Sequence, residues 1–301
     1  MEEYKIPVIT GPTGVGKTEI SHNIAKKYGF EIVSADSRQC YQYMDIGTAK
    51  PEEWRRREVR YHLLDILPPE KILSGGEYGR IAREVINRVL KKGKKVMVVG
   101  GSGLYIEAIF FPLHELPSSW EIRKKIEEKP LEEIYRYLKK IDPKRAEKIG
   151  KRDKKRIIRA VEIYMLTGKK PSEIFRKKRE KFLSPLFIGI TMKREELYKR
   201  IEKRVEKMIE NGFVEEVKML KEMGYEKKLN AFNAVGYREI FDYLEKRITL
   251  EEAKKTIIKK TKNFIRRQYA FLKRFKDIQW IENGKDAERR IEEILKMHGI
   301  I

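Results

Sequence analysis

The stretch Lys5 to Tyr28 reads KIPVIT, then GPTGVGKT, then EISHNIAKKY. The first six residues are a short apolar run of strand type, and the last ten carry apolar residues at helical spacing. Between them Gly11, Pro12, Thr13, Gly14, Val15, Gly16, Lys17 and Thr18 fit the pattern of glycine, four residues, then Gly-Lys-Ser/Thr. The spacing has a mechanism: glycines let the backbone wrap an anion, and the amides point inward at a helix amino terminus. Lys17 adds a point charge, and the Thr18 hydroxyl is placed to meet Mg²⁺. A strand before and a helix after are the context that this motif requires, so the segment reads as a diphosphate cradle of the nucleotide-binding type.

Outward from the loop, the order of elements predicts the rest of the fold. Strand-like runs FEIVSAD, KKVMVVG, LFIGITM (Leu186 to Met192) and DIQWIE (Asp277 to Glu282) alternate with helical patterns. Such alternation predicts an α/β fold, a phosphate-loop parallel sheet with helices on both faces. From Pro117 to about Ser184 strand signals vanish, and charged helical segments punctuated by Pro130, Pro143, Gly168 and Pro171 take their place. The expected domains are therefore a core of 1–115 and 186–301 and a helical insertion of 116–185.

Ligands of open parallel sheets bind outside the carboxyl ends of the strands. The second strand ends in Ala35-Asp36-Ser37-Arg38-Gln39 and the third in Gly100-Gly101-Ser102-Gly103, so Lys17, Asp36 and Ser102 are expected to converge on one edge. A carboxylate there can act as a general base or a metal ligand through water; the plain alternative for both Asp36 and Ser102 is a helix cap. No strand ends in the acidic pattern of an ATP-hydrolysing site, which argues against a motor ATPase.

Composition narrows the partners. The 301-residue chain carries 69 Lys and Arg against 46 Asp and Glu, a net charge of +23. A small-molecule kinase would not need that imbalance, whereas a polyanionic partner such as nucleic acid does. From Lys254 to Lys276 there are ten Lys or Arg and no acid, with Phe264, Tyr269, Phe271 and Phe275 interleaved. Ile257, Thr261, Phe264, Gln268, Phe271 and Phe275 make the three-and-four stripe of an inward helix face, leaving the cations outward. The lone Cys40, the opening without signal-peptide order and the absence of a long apolar run suggest a cytoplasmic protein without membrane association. His22, His62 and Cys40 show no metal-site spacing and read as structural.

GPTGVGKT, SADSRQCYQYMDIGTAKP (Ser34 to Pro51), YHLLDI, VVGGSGLYIEAI, DPKRAEKIGKRDKKRIIRAVEIYMLTGKKPSE and AVGYREIFDYL occur in that order. Together they closely resemble the tRNA dimethylallyltransferases, the DIGTAKP run and the GGSGLY loop being the most specific. The resemblance implies transfer of a dimethylallyl group from dimethylallyl diphosphate to N6 of the adenosine 3′ of the anticodon in a tRNA anticodon stem-loop. Mg²⁺ would assist, with Thr18 as its protein ligand, and a monomer is expected. It also implies roles. Asp36 would be the general base. Ser37, Arg38 and Gln39 would adjoin the tRNA. Ser102 would stand for the usual threonine. Arg123 and the stretch Lys155, Arg156, Ile157, Ile158 and Arg159 would contact tRNA. Arg238 of GYRE would reach the diphosphate beside Lys17. Near Thr261 the family reads TRQYAKRQ and this chain reads TKNFIRRQ, so Thr261, Arg267 and Gln268 agree as tRNA contacts while Asn263 and Ile265 depart.

Overall fold

Val and Ile dominate the strands because a parallel sheet covered on both faces needs branched apolar side chains at consecutive positions. The computed structural model describes residues 5–114, 116–176 and 180–301. Among these, six strands form one sheet: β1 (Lys5–Thr10), β2 (Phe30–Ser34), β3 (Tyr61–His62), β4 (Lys95–Gly100), β5 (Ser184–Thr191) and β6 (Gln279–Glu282), in the order β3-β2-β4-β1-β5-β6. Every pairing is parallel. Five strands lie where the alternation placed them. β3 is new: two residues are too few to show a period, and only its pairing with Ile32 and Val33 defines it.

The helices are α1 (Lys17–Tyr28), α2 (Glu53–Glu58), α3 (Gly75–Lys91), α4 (Gly103–Phe110), α5 (Trp120–Glu127), α6 (Leu131–Ile141), α7 (Pro143–Ile149), α8 (Lys154–Thr167), α9 (Pro171–Ile174), α10 (Arg194–Glu210), α11 (Phe213–Glu222), α12 (Tyr237–Leu244), α13 (Leu250–Leu272) and α14 (Ala287–Met297). Ile9, Ile32, Met97 and Ile188 bury into one cluster with Ile20 and Ile24 of α1 and Ile291 of α14. Their strand neighbours Val8, Val33 and Val98 are fully buried too, and α3 packs on β2 and β4. A second cluster joins Phe213, Val217, Tyr237 and Ile257 of α11–α13, and Phe232 of the 3-10 turn before α12, to Cys40, Tyr41 and Met44 of the loop after β2.

Two compact units result, one of 1–110 with 181–301, the other of 111–180. The second is all helical among its described residues, with α5–α8 gathered around Ile126, Leu138, Ile157, Ile158 and Val161 and α9 set against α7 and α8.

Register decides where chemistry can occur. Thr10 pairs with Gly100 and Gly189, and Ser34 with Val99, so β1, β2 and β4 end within a residue of one another while β5 runs on to Thr191. Thr10 Oγ1 donates to Gly100 O at 2.9 Å, and the chain leaving β2 crosses so close to Gly100 that a Cβ there would overlap the Ala35 backbone.

Candidate active site

The phosphate loop is braced from both sides. Gly16 has φ +92°, a conformation L side chains rarely adopt, and this turn starts α1 directly under the loop. A Cβ there would overlap the carboxamide of Asn283, whose Nδ2 donates to Val15 O at 2.7 Å just past β6. On the other side Thr13 N donates to Gln268 Oε1 at 2.9 Å. Lys17 Nζ turns back to donate to Pro12 O at 2.6 Å. Burial lowers the Lys17 pKa to about 8, with Asp36 raising it and Arg204 lowering it. An ammonium held so far below its ordinary value gains most from an anionic ligand.

A cleft of about 1010 Å³ opens over this loop, lined by Thr13, Gly14, Gly16, Lys17, Thr18, Asp36, Gln39, Gly100 and Gly101 among the residues expected there. It also contains cations that the sequence reading missed. Arg200, Lys203, Arg204 and Lys207 line it from α10, whose Ile201 and Leu197 pack against Gly14. Their spacing of i, i+3, i+4 and i+7 is one helix face, the signal that could have found them. Burial pushes the Arg204 guanidinium down from its ordinary value while Asp36 pulls it back. The carboxylate and the cations therefore act on each other within one cleft.

Asp36 caps no helix. Its Oδ1 accepts from Arg38 N at 2.8 Å, an Asx turn that holds the carboxylate at the cleft. Ser102 is also committed locally: its hydroxyl accepts from Ser37 N at 2.9 Å and donates to Ser37 Oγ at 3.3 Å. It ties the β4 loop to the β2 loop and is absent from the cleft lining. Arg38 Nη1 donates to Asn230 O at 2.9 Å, and Gln39 Nε2 donates to Ala49 O at 3.0 Å while its Oε1 accepts from Ser34 Oγ. Both side chains hold loops in place.

The DIGTAKP run is folded around two buried charges. Lys50, 7% exposed, donates to Tyr41 O at 2.5 Å and Asp45 Oδ1 at 2.7 Å, and pairs with Asp65. Glu216 of α11 accepts from the amides of Asp45, Ile46 and Gly47 and from Tyr237 Oη at 2.6 Å. Strain collects here, with Tyr43, Ala49, Leu63 and Asp65 all at positive φ.

Several expected contacts lie elsewhere. Arg238 does not line the cleft: Tyr237 and Glu239 of α12 face the core, and Arg238 faces a second hollow with Lys221, Lys227 and Arg247. Ile157 and Ile158 are sealed in the helical unit, 0% and 2% exposed, so their side chains are unavailable to RNA. Helical periodicity turns two residues of that stretch inward and leaves Lys155 and Arg156 exposed. Arg123 grips the fully buried Glu162 with two nitrogens at 2.9–3.1 Å, and Arg159 Nη1 joins it at 2.8 Å. Thr261 Oγ1 donates back to Ile257 O of its own helix, and Gln268 is buried against the phosphate loop. Arg267 alone of that trio is exposed. The inward face of α13 also shifts: Ile265 and Leu272 are buried, Phe264 and Phe271 only partly, and Phe275 lies beyond the helix end.

His22 sits between Glu58 and Tyr61, at 2.9 and 3.1 Å, and His62 bonds Glu31 at 2.6 Å. Burial pushes the Cys40 thiol up to about 12, which makes it a poor nucleophile. No described helix is long and apolar enough to cross a membrane.

Residues 39–275 match the family model of the IPP transferases. The chain is 41% identical to the tRNA dimethylallyltransferase of Alkaliphilus oremlandii, covering 97% of this chain and 96% of that one. It is 40% identical to the enzyme of that name from Thermotoga maritima, over 97% of each. Among solved structures, the tRNA isopentenylpyrophosphate transferase of Bacillus halodurans is 33% identical with a TM-score of 0.70, covering 98% of this chain and 94% of that one. A eukaryotic dimethylallyltransferase acting on tRNA superposes with a TM-score of 0.82 at 27% identity, covering 96% of this chain and 77% of the other.

Proposed function

Because the chain belongs to the IPP transferase family, we propose that it is a prenyltransferase that moves a dimethylallyl group from dimethylallyl diphosphate to N6 of the adenosine 3′ of the anticodon in tRNA. The observation that carries this reading is one cleft in which Asp36 lies with the phosphate loop and four cations of α10. Its volume is at the top of the range for small-molecule sites, room for an allylic diphosphate and a base together.

The residues divide the work. The allylic C–O bond breaks and the electron pair leaves with the diphosphate, so stabilisation of departing charge is the main requirement. Loop amides, Lys17 and Arg204 supply it. The N6 lone pair forms the new C–N bond, and Asp36, held by its Asx turn, takes the proton that nitrogen loses. A stacked base cannot reach such a cleft, so the adenosine is turned out of the anticodon loop to enter it. Thr18 lies in the cleft, and one hydroxyl with diphosphate oxygens is a fitting partner set for Mg²⁺, which keeps most of its waters. When bound there, Mg²⁺ neutralises diphosphate charge. The exposed cations of α8 and α13 meet the RNA backbone.

Incubation with dimethylallyl diphosphate, Mg²⁺ and an anticodon stem-loop, followed by nucleoside mass spectrometry, should show one adenosine heavier by one dimethylallyl group. Asp36→Asn should lower turnover by about 10²- to 10⁴-fold with tRNA affinity nearly intact. Wild-type protein that leaves the stem-loop unmodified would sink the reading.

A further inference from the structure

Gln268 carries the same family resemblance as the exposed Arg267, yet the two residues face opposite ways. Gln268 is 7% exposed, and both ends of its carboxamide are used: Oε1 accepts from Thr13 N at 2.9 Å, and Nε2 donates to Gly101 O at 3.0 Å. One side chain of α13 thus spans the phosphate loop after β1 and the turn after β4. The glycines of the GGSG turn make this possible. A Cβ at Gly101 would overlap Gln268 Nε2, and a Cβ at Gly103 would overlap the ring of Phe271, one helical turn further along. The turn is a seat for α13, while Gly101 itself lines the cleft.

We infer that Gln268 is a positioning residue, a strap that sets the spacing of the Thr13 and Gly101 loops and so fixes the phosphate loop for diphosphate, and that it makes no contact with RNA. The inference rests on the prenyl-transfer reading above. Its physical content is a pair of buried hydrogen bonds whose loss leaves Thr13 N and Gly101 O without their partner. The loop then samples other conformations, and anion affinity falls by the fraction of time spent in the competent one.

The test measures inorganic diphosphate binding by calorimetry without RNA, tRNA affinity by filter binding, and KM and kcat for prenyl transfer. Gln268→Leu should weaken diphosphate and raise the KM for dimethylallyl diphosphate by about tenfold or more, with tRNA affinity within twofold. Gln268→Glu should show a similar loss at pH 8 that recovers as the pH falls towards 5.5, because a protonated carboxyl can again donate to Gly101 O. The uncharged leucine variant should show no such recovery. Gly101→Ala, which pushes the carboxamide off from the opposite side, should reproduce the defect and add little to Gln268→Leu. Unchanged diphosphate affinity in Gln268→Leu, or a tenfold loss of tRNA affinity, overturns the inference. A wild-type protein that transfers nothing overturns the functional reading instead, and leaves the diphosphate measurement to decide the strap.

Discussion

At the scale of single residues, the cleft sets the cations Lys17 and Arg204 against the carboxylate of Asp36. Lys17 changes state within a working pH range. With its pKa lowered to about 8, the free enzyme loses the ammonium as pH rises past that value, and an anion that needs the ammonium binds less well. Affinity for dimethylallyl diphosphate should therefore fall about tenfold per pH unit above 8.5, where the ester is already fully ionised, relative to its value near pH 7. Calorimetry at pH 8.5 in buffers of different ionisation enthalpy should show proton uptake on binding. Lys17→Arg should abolish both effects, since a guanidinium stays charged. A second prediction separates two arginines. Arg204 lines the cleft and Arg238 the other hollow, so Arg204→Ala should depress prenyl transfer by roughly 10²-fold while Arg238→Ala leaves diphosphate affinity within about twofold. Equal losses of diphosphate binding in the two variants would return Arg238 to the cleft.

Elements matter here chiefly as carriers of loops. α10 buries Leu197 and Ile201 and by its period must then present Arg200, Lys203, Arg204 and Lys207 on an adjoining face. α11 supplies Glu216, which takes three amides of the DIGT turn, and the strained loop from Tyr43 to Asp65 depends on that carboxylate and on Lys50. Replacing a buried carboxylate that satisfies three backbone donors costs about 3 kcal/mol or more. Glu216→Leu should thus lower the thermal midpoint by roughly 5–10 °C in a calorimetric scan, and α11 would otherwise keep its helical residues. A midpoint within 2 °C of wild type would show that the turn holds itself. In the helical unit Glu162 has the same function for Arg123 and Arg159, which explains why two cations of a basic chain sit on a carboxylate.

For the whole molecule the net charge of +23 is the dominant fact, and it separates cations engaged inside from cations available outside. Lys155 and Arg156 on α8 and Arg267 on α13 are exposed, whereas Arg123 and Arg159 are held by Glu162. Contacts of exposed cations with RNA phosphates release counterions, so tRNA affinity should fall steeply with salt. Lys155→Ala should flatten the logarithmic slope by about 0.7–0.9 with folding unchanged. Arg123→Ala should instead destabilise the helical unit by leaving the buried Glu162 to Arg159 alone, which a shifted melting curve without RNA would reveal. A Lys155→Ala slope equal to wild type would remove that residue from the RNA surface.

Local order along the chain was enough to read the phosphate loop, five of the six strands, the helical stretch between β4 and β5, and the convergence of Lys17 and Asp36. These follow from short-range regularities: glycine spacing, the period of apolar residues, and the rule that level parallel strands deliver their loops to one edge. Which way a polar side chain faces was not legible in the same manner. Arg204 and Arg238 look alike in sequence, as do Gln268 and Arg267 in a shared motif. Their assignments came from packing: Ile201 and Leu197 anchor one helix against Gly14, Tyr237 rolls another away from the cleft, and glycines at 101 and 103 admit α13 to the loops. A motif records that a residue type is needed, but the rotation of the helix that carries it is set by apolar contacts far along the chain, and only the tertiary structure decides those.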